Sequence, residues 1–271
     1  MKLSIITLTY NKLDYTKKFI ESLYKYTTDF ELIVVDNGST DGTIEYLKSL
    51  SNIKTIFNSE NQGFSKGNNQ GLEIAQGEFI GFLNNDILLS PDWFKEIEKI
   101  FQSQNAAFVS PRQINPYYDK ANEKNYLKYF EKQNYTKPYA KDFDECVFSC
   151  VITKRSVIDK IGSFDENYSP AFFEDNDLKF RAINSGYDVF VANTCCFFHF
   201  GSVTSAGLNY KFSKNKEYFY SKYPFAEYSN TAGENLRILQ HKIRVLEKIP
   251  GAKIFYKAHL IYEKIKRRLK K

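Results

Sequence analysis

Five short polar clusters interrupt apolar or aromatic runs: Thr9-Tyr10-Asn11, Asp36-Asn37-Gly38-Ser39, Asn84-Asn85-Asp86, Glu174-Asp175 with Asp177, and His199. Their residue types allow two kinds of chemistry. One carboxylate and one imidazole, Asp86 and His199, can hold a hard divalent cation such as Mg or Mn and leave its other positions to water and diphosphate oxygens. A carboxylate set behind two phenylalanines, as in Phe172-Phe173-Glu174-Asp175, can act as a general base, an effect worth about 10² to 10⁴ in rate. Each cluster alone has a plainer structural use. A lone Asp after an apolar run is commonly a turn or cap residue, and acids in a helix's first turn complement its dipole by about 0.3 to 1 kcal/mol each. Joint placement decides between the two readings, because the carboxyl ends of parallel strands open onto one crevice.

The elements that would place them are readable from periodicity. Lys2 to Thr9, Glu31 to Asp36, Lys54 to Phe57 and Phe79 to Leu83 read as buried strands, with helices at Leu13 to Tyr26 and Ile44 to Leu50 between them. A further helix from about Ser65 to Gln76 carries Gly67 and Gly71, each costing roughly 1 kcal/mol against Ala, so something must approach that backbone closely or pack tightly on it. Pro91 opens a helix to about Gln104, and Arg112 to Glu145 has no clear period and reads as a long irregular excursion. Cys146 to Thr153 resumes as a strand, Arg155 to Ile161 and Asp175 to Ser185 are helices closed by Gly162 and Gly186, and two strands at Asp188 to Val191 and Cys195 to Phe198 lead to His199. Alternation of this kind predicts an α/β fold with a mostly parallel sheet flanked by helices.

With 271 residues and 42% apolar composition the chain can bury a full core. No apolar run reaches membrane-spanning length and no cleavable leader pattern opens the sequence, which leads us to expect a cytoplasmic protein. Cys146, Cys150, Cys195 and Cys196 lack metal-finger spacing and read as reduced structural thiols. The charge is uneven. From Lys242 to Lys271 eleven Lys and Arg face two Glu, a net of +9, leaving −3 for the preceding residues out of the chain's +6.

The stretches "SIITLTYN", "ELIVVDNGSTDGT", "NQGFSKGNNQGLEIAQGEFIGFLNND", "IGSFDENYSPAFFEDNDLKFRAINSGYDV" and "FFHFGS" resemble, in order and spacing, family 2 glycosyltransferases, particularly the bacterial rhamnosyltransferase-like branch. The resemblance covers about residues 2 to 205. It implies a GT-A fold whose Rossmann-like nucleotide-binding half, about residues 1–110, runs into an acceptor half, about 111–233. By this resemblance Thr9, Tyr10 and Asn11 line the nucleotide pocket, and Asp36 meets the base imide with Asn37 and Ser39 beside it. Gly63, Lys66 and Asn68 approach the ribose and diphosphate, which would account for the costly glycines. Asn84-Asn85-Asp86 matches the family's DxD motif, Asp86 taking the metal-binding place and Asn84 standing where the first Asp is expected; an amide there supplies no charge. His199 matches a histidine that completes the metal site, Asp175 matches the catalytic base, and Glu174 falls on the acceptor side. Arg181, six residues beyond Asp175, reads first as a structural ion-pair partner.

The implied activity is an inverting, metal-dependent transfer of a sugar from a UDP- or dTDP-linked donor to a glycan or lipid-linked acceptor in bacterial surface polysaccharide synthesis. Residues 234–271 read as a basic amphipathic helical tail, suited either to anionic lipid at the inner membrane face or to packing on protein. A related-fold nucleotidyltransferase would need a phosphate-cradling loop after the first strand, where "TYNKLDY" has none. A noncatalytic sugar-nucleotide binder would not need Asp86, Asp175 and His199 together, and the acidic remainder argues against nucleic acid.

Overall fold

The computed structural model describes residues 2–201 and 212–223. Its first half is β1 (Leu3–Thr9), α1 (Leu13–Tyr26), β2 (Phe30–Asp36), α2 (Thr43–Ser49), β3 (Ile53–Phe57), α3 (Gly63–Ile74) and β4 (Phe79–Leu83). There follow β5 (Ile87–Leu89), α4 (Trp93–Ser103), β6 (Ala106–Ile114), α5 (Tyr126–Glu131), β7 (Tyr139–Lys141) and β8 (Cys150–Lys154). The last elements are α6 (Arg155–Ile161), α7 (Glu174–Asn184), β9 (Asp188–His199) and α8 (Phe212–Lys222).

Apolar runs with little polar alternation form strands buried on both faces, the signature of a sheet covered by helices on each side. Among the described residues these strands make one mixed sheet in the order β3-β2-β1-β4-β8-β6-β9-β5, with β7 on β9. β1 to β4 pair in parallel, β8 runs against β4 and β6, and β9 runs parallel to β6. β1 to β4, β6 and β9 therefore all point one way, so the carboxyl ends of β1, β2, β4 and β9, which carry four of the polar clusters, lie along one edge of the sheet. α1 covers one face through Phe19, Ile20 and Leu23, and α4 adds Trp93, Ile97, Ile100 and Phe101; the Trp93 indole N–H donates to Thr27 Oγ1 at 2.9 Å.

The costly glycines of α3 have a packing reason. A Cβ at Gly71 would stand 2.5 Å from Ile6 Cγ2, and one at Gly67 would stand 2.9 Å from Leu8 Cδ2. Both seat α3 closely on β1, where a methyl at Gly71 would press on Ile6 and one at Gly67 would displace the Leu8 side chain, so packing accounts for them without a ligand.

The expected irregular excursion at Arg112 to Glu145 is instead partly ordered: it holds the end of β6, all of α5 and all of β7. Pro111 hides β6 in the sequence because a proline cannot donate to a ladder, yet a register shift falls between Pro111 and Arg112, where an irregularity absorbs the missing donor. The same shift skips from Ala192 to Cys196 on the partner strand, so the two strands expected before His199 are one bulged strand, β9. The strand expected from Cys146 begins only at Cys150. All four cysteines are free and buried, and burial pushes the Cys146 and Cys196 thiols up to about 12.

The chain divides into two compact units, Met1–Phe219 and Tyr220–Lys271. The expected boundary at 233/234 and the basic tail lie outside the described residues. Among those described, no helix is long and apolar enough to cross a membrane.

Candidate active site

A cavity of about 370 Å³ opens at the carboxyl edge of the sheet. It gathers Thr9, Tyr10, Asn37, Gly63, Asn84, Asn85, Asp86, Glu174, Asp175 and His199, ten of the residues singled out in the sequence. Asn11, Asp36, Ser39, Lys66 and Asn68 do not line it.

The wall made by β1 and β2 is a closed hydrogen-bond system. Asp36, fully buried, accepts from Thr9 Oγ1 at 2.8 Å, Ser39 Oγ at 2.5 Å, the Ser39 amide at 2.9 Å and the Gly38 amide at 3.1 Å. Four donors use up the carboxylate's acceptor directions, so direct contact between Asp36 and a base imide is not open in this arrangement. Asp36 instead fixes the turn that presents Asn37. Ser39 Oγ also accepts from the Asn11 amide at 2.7 Å, and Asn11 Oδ1 accepts from the Thr40 amide at 2.8 Å, so these two residues lock neighbouring turns together.

At the N-terminus of α3, Gly63 has φ +80°, and a Cβ there would meet the Pro170 carbonyl oxygen at 2.9 Å. That oxygen accepts from the Phe64 amide at 2.8 Å, which joins α3 to the segment leading into α7. Lys66 is exposed and does not line the cavity, and Asn68 turns its amide back to Phe64 O at 3.0 Å. Asn69 holds the far wall, exchanging hydrogen bonds with both backbone groups of Phe164 at 3.0 and 3.1 Å.

Asn84, Asn85 and Asp86 fill the connection between β4 and β5. The Asn84 amide donates to Ser149 O at 2.9 Å, and Asn85 Nδ2 donates to Thr16 Oγ1 on α1 at 2.9 Å. Antiparallel pairing of Ile87 with His199 then fixes what faces Asp86. His199 Nε2 lies 3.2 Å from Asp86 Oδ1 but off the line of a hydrogen bond, so this buried nitrogen has no hydrogen-bond partner. An oxygen and a nitrogen converging without bonding each other fit a divalent cation. Among the described residues no group of three or more His, Cys, Asp or Glu converges, so an ion held by this pair would complete its shell with substrate oxygens and water.

Gln113, not singled out in the sequence, completes the arrangement. Its amide lies 3.0 Å from His199 Nδ1. For Nε2 to offer a lone pair to a metal, Nδ1 must carry the proton, and the glutamine amide can meet either tautomer by presenting its oxygen or its nitrogen.

α7 supplies the acids. It begins after Phe172 and Phe173, at φ +80° and +74°, two adjacent residues with a Cβ in the left-handed region. Such residues cost about 1–3 kcal/mol each and persist where surroundings hold them. Asn215 does so by donating to Ala171 O at 2.8 Å and Phe172 O at 3.2 Å. Asp177 is fully buried and pairs with Arg181 Nε at 2.8 Å, and Arg181 also donates to the carbonyls of Ile161 and Ser163, which makes this arginine structural as expected. Glu174 is buried and its Oε2 has no partner. Burial first, and then the adjacent Asp175 carboxylate, push the Glu174 carboxyl up to about 8, against backbone N–H groups and the Lys179 ammonium. Asp175 is the more open of the two: its Oδ1 accepts from the Asn176 amide at 2.7 Å, and Lys179 Nζ lies 3.7 Å from Oδ2. A carboxyl that burial holds neutral, beside a second and more open carboxyl, places a hydrogen-bond donor next to a candidate proton acceptor at one wall.

Comparison with known proteins places this architecture. The family described as Glycosyl transferase family 2 matches residues 4–162. An uncharacterized glycosyltransferase of Rickettsia felis is 31% identical over 172 residues, 62% of this chain and 27% of that protein. The match thus spans about a quarter of the relative. TuaG of Bacillus subtilis, whose name assigns it to teichuronic acid biosynthesis, is 31% identical over 110 residues, 39% of this chain and 44% of its own. Among solved structures, residues 1–349 of Staphylococcus aureus TarS in complex with UDP-GlcNAc superpose with a TM-score of 0.62 at 18% identity, covering 82% of this chain and 66% of that one. At that identity the likeness is one of fold.

Proposed function

The chain belongs to glycosyl transferase family 2, and from that premise we propose that it is an inverting, metal-dependent enzyme. It moves a sugar from a UDP- or dTDP-linked donor to a hydroxyl of a glycan or lipid-linked acceptor in bacterial surface polysaccharide synthesis. The observation that carries this reading is one cavity in which the Asp86–His199 pair and Asp175 lie with Thr9, Tyr10 and Asn37. A neighbour of the same fold solved with UDP-GlcNAc supports a uridine donor, and TuaG's assigned role supports a surface polysaccharide.

In this reading Thr9, Tyr10 and Asn37 take the nucleoside against a turn that Asp36 and Ser39 keep in shape. Asp86 and His199 would hold a divalent cation, Mn or Mg, which when bound would supply positive charge toward the donor diphosphate. Asp175 accepts the proton of the acceptor hydroxyl as that oxygen bonds to the anomeric carbon. The bond to the diphosphate oxygen breaks on the opposite face, so one displacement inverts the configuration. Glu174, neutral near pH 7, donates to a sugar hydroxyl from the acceptor side.

Calorimetric titration with UDP and with dTDP, with and without manganese, tests the site on the wild type and on Asp86→Ala. Metal-dependent binding that disappears in the variant is expected. Absence of binding by either nucleotide would reduce the reading to a likeness of fold. The basic excess of residues 242–271 supports docking on anionic lipid, at about 1 kcal/mol per basic residue near the surface. Deletion of residues 253–271 should then release the protein from anionic vesicles.

A further inference from the structure

Among the described residues Lys179 is the one lysine or arginine that is buried, at 3% exposure. It sits one turn after Asp175 on α7. Its Nζ donates to Phe143 O at 3.1 Å and Cys146 O at 3.2 Å, lies over the Phe143 ring at 4.5 Å, and stands 3.7 Å from Asp175 Oδ2. A buried ammonium is costly unless it is paired and hydrogen-bonded, and an apolar residue of similar length would fill the same space without that cost. The charge therefore needs a use.

The surroundings suggest one. Three acids crowd the first turn of α7, and two have a cation: Asp177 has Arg181 at 2.8 Å and Asp175 has Lys179. Glu174 forms no ion pair, feels the Lys179 charge only from further off, and its buried Oε2 is without a hydrogen-bond partner. We propose that Lys179 is a positioning residue that keeps the negative charge of the Glu174–Asp175 pair on Asp175 and ties that carboxylate to the 143–146 segment, which leads directly into the cavity wall at Val147 and Phe148. The other ionisable groups around Asp175 are few. Asp142 and Cys146 belong to the segment that Lys179 holds, and Asp86 and His199 line the same cavity. None of these can replace a fixed cation beside Asp175.

The inference rests on reading Asp175 as the base, and its test does not need the substrate. NMR of isotope-labelled Asp and Glu carboxyl carbons is followed from about pH 3 to about pH 9 in the wild type, Lys179→Gln and Lys179→Met. The Asp175 resonance is the one missing from Asp175→Asn. Gln still donates a hydrogen bond to the carbonyls and guards against a variant that fails to fold. In both neutral variants the Asp175 midpoint should move up by about one pH unit or more, the effect of removing an opposite charge at this distance. A strut without an electrostatic role would lower the melting temperature and leave the midpoint in place, and that result overturns the proposal even where Asp175→Asn is inactive. Full turnover in Asp175→Asn would overturn the base assignment, and the positioning role with it, whatever the midpoints do.

Discussion

The two walls of the cavity differ in how their polar groups are used. On the β1–β2 wall every oxygen of Asp36 is engaged by Thr9, Gly38 and Ser39, and Asn11 and Ser39 bond to each other's turns. Across the cavity, Glu174 Oε2 and His199 Nε2 are buried without hydrogen-bond partners. An unmade buried hydrogen bond costs about 1–3 kcal/mol, so a fold keeps one only where something compensates. The Asp36 cluster of the first wall is a scaffold with its hydrogen bonds made. The second leaves Glu174 Oε2 and His199 Nε2 open to a ligand.

This contrast is open to attack by substitution. The largest effect should come from the second wall: Asp175→Asn is expected to remove at least about 10² of turnover while nucleotide affinity by calorimetry stays as in the wild type. Equal losses in both would place Asp175 in binding rather than proton transfer. Gln113→Ala should weaken manganese binding about tenfold, read by water-proton relaxation, because His199 loses the hydrogen-bond partner that holds its ring in orientation. On the scaffold side, Gly71→Ala should cost about 1–3 kcal/mol in urea unfolding, since its methyl would press on Ile6. Its effect on turnover should follow the folded fraction alone.

A last test sharpens the contrast through pH. Burial raises Glu174 from 4.5 in the unfolded chain to about 8 in the fold, so between those values the folded protein holds a proton that the unfolded chain has released. Its contribution to stability is therefore complete below about pH 4.5 and lost as pH climbs through about 8. Glu174→Gln should flatten the fall in melting temperature over that range, and an identical fall in both proteins would show that Glu174 is not the group responsible.

The scaffold wall was also the more legible in sequence. β1, α1 and β2 run within a residue of the stretches their apolar periodicity marks, because local pattern and tertiary environment agree there. Asp36 was found for the right reason, a carboxylate at a strand end, but its four donors come from a turn whose geometry no spacing reveals. Gly67 and Gly71, four apart, fall on one helix face, and that face meets β1 rather than a ligand. On the second wall Asp86, Asp175 and His199 stood out by residue type. Gln113 did not, since a glutamine carries no chemical signal until strand register sets it beside an imidazole. Lys179 read as one more charged residue on a helix, and only its burial distinguishes it.

Asn215 sets a limit on how far the protein can be shortened. Among the described residues, a chain ending soon after His199 would keep every strand of the sheet and every side chain that lines the cavity. It would lose the side chain that grips Ala171 and Phe172, and with it the restraint on two left-handed phenylalanines at the root of the base helix. It would also lose the buried Phe219 ring from Phe173 and Phe180, so such a fragment should be less stable as well as poorer in turnover.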